Sequence, residues 1–554
     1  MRHLTSKTWA ALAAVALMGT SPALAAEAPM VVKTANGPVQ ATERGVMRSY
    51  FGIPFAASPV GDLRWKAPAP AAKWTAPIAK TKTAAACLQT GPDSLFRTRG
   101  DSEDCLYLDV HTPTGKGPFP VMVWIHGGAF TTGGASTYAN AGPMIEKGVI
   151  VVAIHYRLGA MGFLAHPALR DAGGSAGDYG MMDQHAALRW VRGNIGAFGG
   201  DAKNVTIFGE SAGGFSVLTH LASPQSKGLF DKAIIQSGAY GVADQLTQAD
   251  LEAKSTIALE KSAACPGGAI TATCLRGLPD AVVRGKLMGA FERATGGVAP
   301  SIDGKVLTQS IKATFAAGAN NKVPVINGSN EDENLLFLAL AEMGARFAAK
   351  PPNFNPADRS FLMTAEGFNK GAEAMAKQTG LSVSELAGYY PLNRHGDDVG
   401  LQPSRAAAAA GTDSTFSCNG VNVSTRIAAQ GSPIWMYEFR DQTAVPLFGM
   451  FGGKYGLSLP QGAAHAFELP YLFGMAAAAQ NAEQNALKAT MSTYWTNFAR
   501  TGNPNGGGTP AWAGFKGGTV QALDVASGGG VMGMTADAFR DQHLCKTAWA
   551  RQTF

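Results

Sequence analysis

The stretch "VTIFGESAGG", Val205–Gly214, sets one serine between two glycines directly after a β-branched and aromatic run. This is the G-x-S-x-G pattern of a nucleophile elbow. A strand ends, the glycines permit a sharp turn, and the serine hydroxyl is thrust out where a helix begins. Ser211 is the candidate nucleophile, with Glu210 before it and Ala212 after it. A serine hydroxyl attacks poorly unless a base takes its proton and an acid orients that base. On such a sheet the three residues run serine, acid, histidine along the chain. That order sets aside His3, His111, His126, His155, His166, His185 and His220, and leaves His395, His465 and His543. His395 lies in the charged "NRHGDD", and His543 stands beside Cys545 near the terminus. His465 lies in "GAAHAFELPYLFG", with small residues before it and apolar anchors after it, which suits a base that must be held yet reach its partners. The acid is sought on a loop beyond an intervening strand. "KVPVINGSNEDENLLF" offers Glu331, Asp332 and Glu333 there, and pattern alone does not choose among them. Acyl transfer also needs N–H donors waiting for the oxyanion. "HGGAF", His126–Phe130, follows the apolar run "VMVWI", and its small residues let amides approach a reacting carbonyl. With the amide of Ala212 they form a candidate oxyanion hole.

These residues need a scaffold that brings distant segments to one edge. "VMVWIHGG" (Val121–Gly128) and "VIVVAIHYR" (Val149–Arg157) are continuous apolar runs, as expected of strands buried on both faces. "VTIFG", "KAIIQSG" (Lys232–Gly238), "KVPVIN" (Lys322–Asn327) and "PIWMYEF" (Pro433–Phe439) follow in the same style. Between them lie helical patterns such as Met181–Gly200, where Met182, Ala186, Leu188, Trp190 and Ile195 populate one apolar face. Alternation of this kind predicts an α/β fold with a mostly parallel sheet covered on both sides. Residues from about 335 to 430 are Ala-rich and helical in pattern, and read as a helical insertion packed over the sheet. A long late helix is expected over Met475–Gly502. In open α/β sheets ligands bind beyond the carboxyl ends of the strands, where Ser211 falls.

The chain opens with Arg2, His3 and Lys7, then "WAALAAVALMG" and "SPALAAEAP", the order of a secretory signal peptide with cleavage expected after Ala25. The apolar run is too short to span a bilayer. An exported protein, in a bacterial periplasm or the medium, follows. Without Arg2 and Lys7 the formal charge falls from +6 to +4, and no dense basic cluster is interleaved with aromatics, so nucleic acid is not an indicated partner. Six cysteines in an exported chain predict disulfides, with no CxxC or Cys/His spacing suited to zinc. By spacing, Cys87 with Cys105 and Cys265 with Cys274 close modest loops, leaving Cys418 and Cys545. No metal and no cofactor are expected.

Taken together, the chain resembles the type-B carboxylesterases of the α/β-hydrolase superfamily, the group that includes the cholinesterases. The likeness runs from "RSYFGIPFAASPVGDLRW" (Arg48–Trp65) through "SEDCLYLDV" (Ser102–Val110), "HGGAF", "HYRLGAMGFL" and "GESAGG" to the His465 loop, in the family's order. The resemblance implies an α/β-hydrolase domain over residues 26–554. It implies ester hydrolysis through an acyl-enzyme, with a small-molecule ester and water as partners. The family's triad acid stands in an N-x-D-E segment, here "NEDE", which implies Glu333. His465 matches the family's histidine, Gly128, Ala129 and Ala212 its oxyanion donors, and Glu210 its buried glutamate. The implied disulfides are Cys87–Cys105, Cys265–Cys274 and Cys418–Cys545, and the implied structural ion pairs are Arg64–Glu103 and Arg157–Asp183.

Three departures stand out. Ala129 replaces a common glycine and is expected to serve through its amide at negative φ. Asn334 replaces the glycine after the acid and is expected to supply a left-handed backbone that asparagine tolerates. The segment between Cys87 and Cys105 has no tryptophan, which argues against a choline ester held by cation–π attraction. Two alternatives to a general esterase are a specialised esterase or lactonase for a bulky natural-product or xenobiotic ester, and a non-catalytic binding protein on the same fold. All three triad residues being present speaks against the latter.

Overall fold

A computed structural model describes residues 30–89, 98, 100–242, 244–265, 267–446, 457–475 and 479–552; the leader expected over residues 1–25 lies outside them. Along the chain the strands are β1 (Val31–Lys33), β2 (Pro38–Gln40), β3 (Thr42–Arg44), β4 (Met47–Pro54), β5 (Tyr107–Pro113), β6 (Phe119–Ile125) and β7 (Ile150–Ile154). They continue with β8 (Gly200–Glu210), β9 (Lys232–Gln236), β10 (Val325–Asn330), β11 (Ile434–Phe439), β12 (Thr519–Leu523) and β13 (Met532–Thr535). Among the described residues, eleven strands form one sheet in the order β13-β12-β11-β10-β9-β8-β6-β7-β5-β4-β3. From β7 to β12 neighbours pair in parallel, and the flanks, β13 on one side and β5, β4 and β3 on the other, are antiparallel.

The continuous apolar runs have a direct cause. On β6, Val121, Val123 and Ile125 enter one core and Met122 and Trp124 the opposite one; β7 divides Ile150, Val152 and Ile154 from Val151 and Ala153 in the same way. Each such side chain taken fully out of water contributes roughly 1.5–3 kcal/mol. Helices Tyr179–Asn194 and Ala212–Ala222 pack in the first core, and the long helix Ala482–Thr501 in the second. That last helix begins later than its sequence pattern suggests, because Asn481 and Gln484 form a capping box that fixes its first turn. The β10 strand is displaced toward Asn330 relative to the apolar run, since its polar end pairs with β11 through Ser329↔Glu438 and Asn330↔Phe439.

Between residues 335 and 429 the chain is helical at Leu335–Ala348, Ala365–Thr379, Val383–Tyr389, Gln402–Thr412 and Cys418–Ala429. These helices share a third, smaller core, in which Phe368, Leu386, Ala406 and Ala410 meet Trp549 from the C-terminal segment. Three disulfides, Cys87–Cys105, Cys265–Cys274 and Cys418–Cys545, cross-link the chain. Arg157 and Asp183 form a buried bidentate pair at 2.7 and 2.8 Å, and Arg64 binds Glu103 through Nε at 2.6 Å. No described helix is long and apolar enough to cross a membrane.

The sheet order matters for function. The chain leaves β6 to one side for β7 and to the other for β8, so a switch point opens at the carboxyl ends of β6 and β8, where α/β sheets bind ligands.

Candidate active site

Ser211 stands at the end of β8, with φ 56° and ψ −124° at the entry to helix Ala212–Ala222. An L-residue held there is strained, and it stays because its neighbours over-determine it. Its N–H donates to the Gln236 carbonyl at 2.9 Å, and its carbonyl accepts from Phe215 N–H at 2.8 Å. The glycines explain themselves by close approach. A Cβ on Gly213 would lie 2.0 Å from the carbonyl oxygen of Ile125 on β6, and one on Gly209 would lie 2.5 Å from the carbonyl carbon of Gly213. Only glycine lets the helix start this close to the sheet. Ala212 occupies the first helical position, so its N–H has no intrahelical acceptor and is available to a ligand.

The loop after β6 faces the same spot. Gly128, Ala129 and Phe130 carry φ of 108°, 53° and 58°. The Gly128 carbonyl accepts from the amides of Thr131 and Thr132, and the Phe130 carbonyl from Gly159. The Phe130 ring is pinned edge-on to Phe163 at 5.1 Å. Ala129 therefore does not take the negative φ expected of it: the tight turn closed by those bonds forces left-handed backbone on an alanine. That conformation costs about 1–2 kcal/mol for a residue with a Cβ. Ala129→Gly should accordingly raise stability by on the order of 1 kcal/mol and keep ester turnover, read from the denaturant midpoint and kcat/KM. A lowered midpoint would contradict it.

His465 and Glu333 come together from two loops. Glu333 follows β10, is fully buried, and accepts from the Asn330 amide at 2.7 Å. Its other oxygen lies 2.5 Å from His465 Nδ1. Nε2 of His465 lies 3.0 Å from Glu210 Oε1, close enough for an ion pair with a protonated ring, yet without hydrogen-bond alignment. Burial alone would lower the His465 pKa, but the Glu210 and Glu333 carboxylates outweigh it and hold the ring well above the usual histidine range. The Phe337 and Phe416 rings each sit 5.1 Å from the imidazole. Gly127, Gly128, Ala129, Glu210, Ser211 and His465 all line one cavity of about 320 Å³, walled further by Tyr138, Leu336, Phe337 and Leu340. It lies at the sheet's switch point.

Such a cavity, with a strained serine, an imidazole flanked by two carboxylates and the Ala212 amide at a helix start, can carry acyl chemistry. The sequence profile of the Carboxylesterase family matches residues 28–539. The chain belongs to that family. This carboxylesterase is 34% identical over 505 residues to the Fumonisin B1 esterase of Sphingopyxis macrogoltabida, covering 88% of this chain and 85% of that one. It is 31% identical over 520 residues to liver carboxylesterase 1 of Oryctolagus cuniculus, at 88% of each. In structure it matches a PNB esterase with a TM-score of 0.71 at 28% identity, covering 93% of this chain and 99% of that chain. The chain is a carboxylic-ester hydrolase on an α/β-hydrolase fold.

The other sequence candidates lie elsewhere in the esterase. His395 lines a separate cavity with Arg405 and Asp332. His543 is bracketed by Asp413 at 2.6 Å and Glu438 at 2.5 Å; burial opposes its charge, but those two carboxylates raise its pKa to about 10. It is a buried imidazolium clamping the C-terminal segment. Asn334 is right-handed, φ −78° and ψ −7°, because it opens helix Leu335–Ala348 and needs no left-handed turn. Its side chain instead takes up the space above Gly411, where a Cβ would lie 2.1 Å from Asn334 Nδ2. The tryptophan-free segment after Cys87 falls largely on 90–97 and 99, outside the described residues. Sequence reasoning missed Glu468, a buried carboxyl that accepts from Gln236 at 2.9 Å and Asn330 at 2.8 Å. Burial, with Glu210 adding, raises its pKa to about 8. Its only signal was its position three residues after His465.

Proposed function

We propose that this carboxylesterase works through Ser211, His465 and Glu333 by way of an acyl-enzyme. The observation that carries the reading is His465 itself: one ring nitrogen lies on the Glu333 carboxylate at 2.5 Å, and the other, 3.0 Å from Glu210 Oε1, lies in the cavity that holds Ser211. Ser211 Oγ attacks the ester carbonyl while His465 Nε2 takes its proton. The oxyanion is met by the amides of Gly128, Ala129 and Ala212, each donor worth about 3 kcal/mol in the transition state. His465 then gives the proton to the departing alkoxide. Water, deprotonated by the same nitrogen, attacks the acyl-enzyme, and the acid leaves as Ser211 Oγ is reprotonated. Glu333 fixes the tautomer and balances the imidazolium. Glu210 adds negative charge beside the ring and supports its protonated form.

The direct test is an active-site phosphonylation. A fluorophosphonate is expected to leave one adduct per chain, mapped to Ser211; a folded protein that takes none overturns the reading. A second expectation concerns pH. The neutral ring is the base, so kcat/KM rises with pH through the His465 pKa, which lies above the ordinary ~6.5. Glu210→Gln removes one of the two carboxylates holding that pKa up, so the acid limb should move to lower pH by about one unit or more. An unmoved limb would exclude Glu210 from the electrostatics.

Three disulfides support folding in an oxidising compartment, and we place the mature protein, from Ala26, in a periplasm or the medium. A second substrate reading, a bulky natural-product or xenobiotic ester or a lactone, draws support from the 34% identity to a Fumonisin B1 esterase and from Phe337, which is 41% exposed where it lines the cavity. An ester panel that varies the alcohol decides between the two.

A further inference from the structure

The loop after β6 begins and ends at one place. Gly133, with φ 105°, closes back on the loop's start: a Cβ there would lie 2.5 Å from His126 Nδ1 and 2.6 Å from the Gly127 carbonyl oxygen. Between these ends lies Gly128, where a Cβ would be 2.3 Å from the Thr132 carbonyl oxygen. That oxygen and the Gly133 N–H belong to one peptide plane, so whatever orients the plane also seats Gly128. Tyr156 holds the start of the loop through the His126 carbonyl at 2.8 Å, and Gly159 holds its middle through the Phe130 carbonyl at 2.7 Å. The end is held by Gln89. Its Nε2 donates to the Gly133 carbonyl at 2.6 Å, and its Oε1 accepts from the Gly133 N–H at 3.3 Å and the Thr98 N–H at 3.1 Å. Gln89 is fully buried, and its own N–H donates at 3.0 Å to Asp101, a carboxylate paired with Arg284 at 2.6 Å. It stands two residues after Cys87, in the segment that the Cys87–Cys105 disulfide closes.

We propose that Gln89 is a positioning residue for the oxyanion hole, fixing the end of this loop so that the Gly128 and Ala129 amides are aimed before the substrate arrives. This rests on the roles given above to those amides. A glycine at Gly133 leaves φ and ψ both free to turn. The two Gln89 bonds fall on either side of its Cα, one on the N–H and one on the C=O, and so fix both angles, which a single bond would not. An oxyanion donor lowers the barrier because it is already in place where charge develops. With Gln89 removed, the peptide plane between Thr132 and Gly133 is free to rotate, its carbonyl leaves Gly128, and the amides must be ordered during each turnover. Charge on the carbonyl oxygen appears only in the transition state, so the loss falls on kcat and leaves KM nearly as it was. The acid limb of the pH profile stays, because Gln89 bonds to neither carboxylate that raises the His465 pKa.

The test titrates Ser211 with a fluorophosphonate in wild type, Gln89→Met and Gln89→Glu, so that turnover is counted per reactive site. Methionine keeps the length of the side chain and loses its hydrogen bonds; ionised glutamate keeps the acceptor and loses the donor. Toward p-nitrophenyl acetate, kcat per site should fall roughly 10- to 100-fold in Gln89→Met, and by less in Gln89→Glu, with KM within about twofold of wild type. An alkyl trifluoromethyl ketone, whose adduct with Ser211 carries the oxyanion, should lose affinity by the same factor as kcat/KM. A Gln89 that served folding alone would lower the number of reactive sites and leave the turnover of each unchanged. The proposal is overturned if turnover per site in Gln89→Met stays within about twofold of wild type, if the ketone keeps its affinity while kcat falls, or if the acid limb moves. Gln89→Glu is read by the same criteria if the methionine variant does not fold. A wild type that takes no fluorophosphonate fails earlier, at Ser211, and one that binds the trifluoromethyl ketone no tighter than the matching methyl ketone fails at the oxyanion hole. Both are thus told apart from a failure of Gln89.

Discussion

Ser211→Ala is expected to reduce kcat/KM toward a simple ester by on the order of 10⁴–10⁶ while the folded protein survives. The loss is large because nucleophile and base act as a unit: without Oγ, His465 has no proton to take and no covalent intermediate forms. A remnant above the uncatalysed rate is expected, since the amides near Ala212 and the shape of the cavity remain. The substitution leaves stability nearly unchanged, for a reason visible in the backbone. Ser211 carries its strain in φ 56°, ψ −124°, and its main-chain bonds to Gln236 and Phe215 are the same for alanine. The side chain is not what holds the turn. A thermal midpoint close to wild type with activity lost separates this outcome from simple unfolding. Full activity in the alanine variant would remove Ser211 from the mechanism.

The parts of this molecule that the sequence announces are those where one local cause dominates. β6 and β7 read as strands because both faces are covered, so apolar residues run without a break. Ser211 reads as an elbow because three constraints coincide in ten residues: the end of a strand, glycines at the helix contact, and a small residue to follow. The antiparallel flank, β3 to β5, is not legible in the same way. Its strands are short at β3 and interrupted by a register shift between Tyr50 and Ile53, and its burial mixes with exposure. Ala129 shows a different limit. Its residue type argues for negative φ, and three carbonyl–amide closures around Gly128 and Phe130 override that preference. His543 shows a third. In sequence it is a histidine beside a cysteine; in space it gathers Asp413 from residues after helix Gln402–Thr412 and Glu438 from β11. Long-range partners of this kind leave no local trace, and Glu468, held by Gln236 and Asn330, escaped sequence reasoning for the same reason.

The choice among Glu331, Asp332 and Glu333 is where sequence pattern stopped and where the second large effect is expected. Glu333→Gln should lower kcat/KM by about 10⁴, because an amide at this position holds the imidazole in the wrong tautomer and cannot balance its charge. Glu331 has other business: it binds Arg440 at 2.6 Å and Gln442 at 2.9 Å. Asp332 accepts from Gln442 at 2.6 Å and from the Ala463 amide at 3.1 Å. Neither touches His465, so Glu331→Gln and Asp332→Asn should keep kcat/KM within a few-fold of wild type, and Asp332→Asn should cost chiefly stability, at roughly 1 kcal/mol for the weakened loop contact. The pH profile adds a readout that folding alone does not move. With Glu333 neutral, His465 loses a carboxylate that raises its pKa, so the acid limb of whatever activity remains should shift to lower pH. A loss confined to Glu333→Gln, with that shift, makes Glu333 the acid. Equal losses in all three variants would mean that the loop is needed as a fold element, and that no single carboxylate in it orients the base.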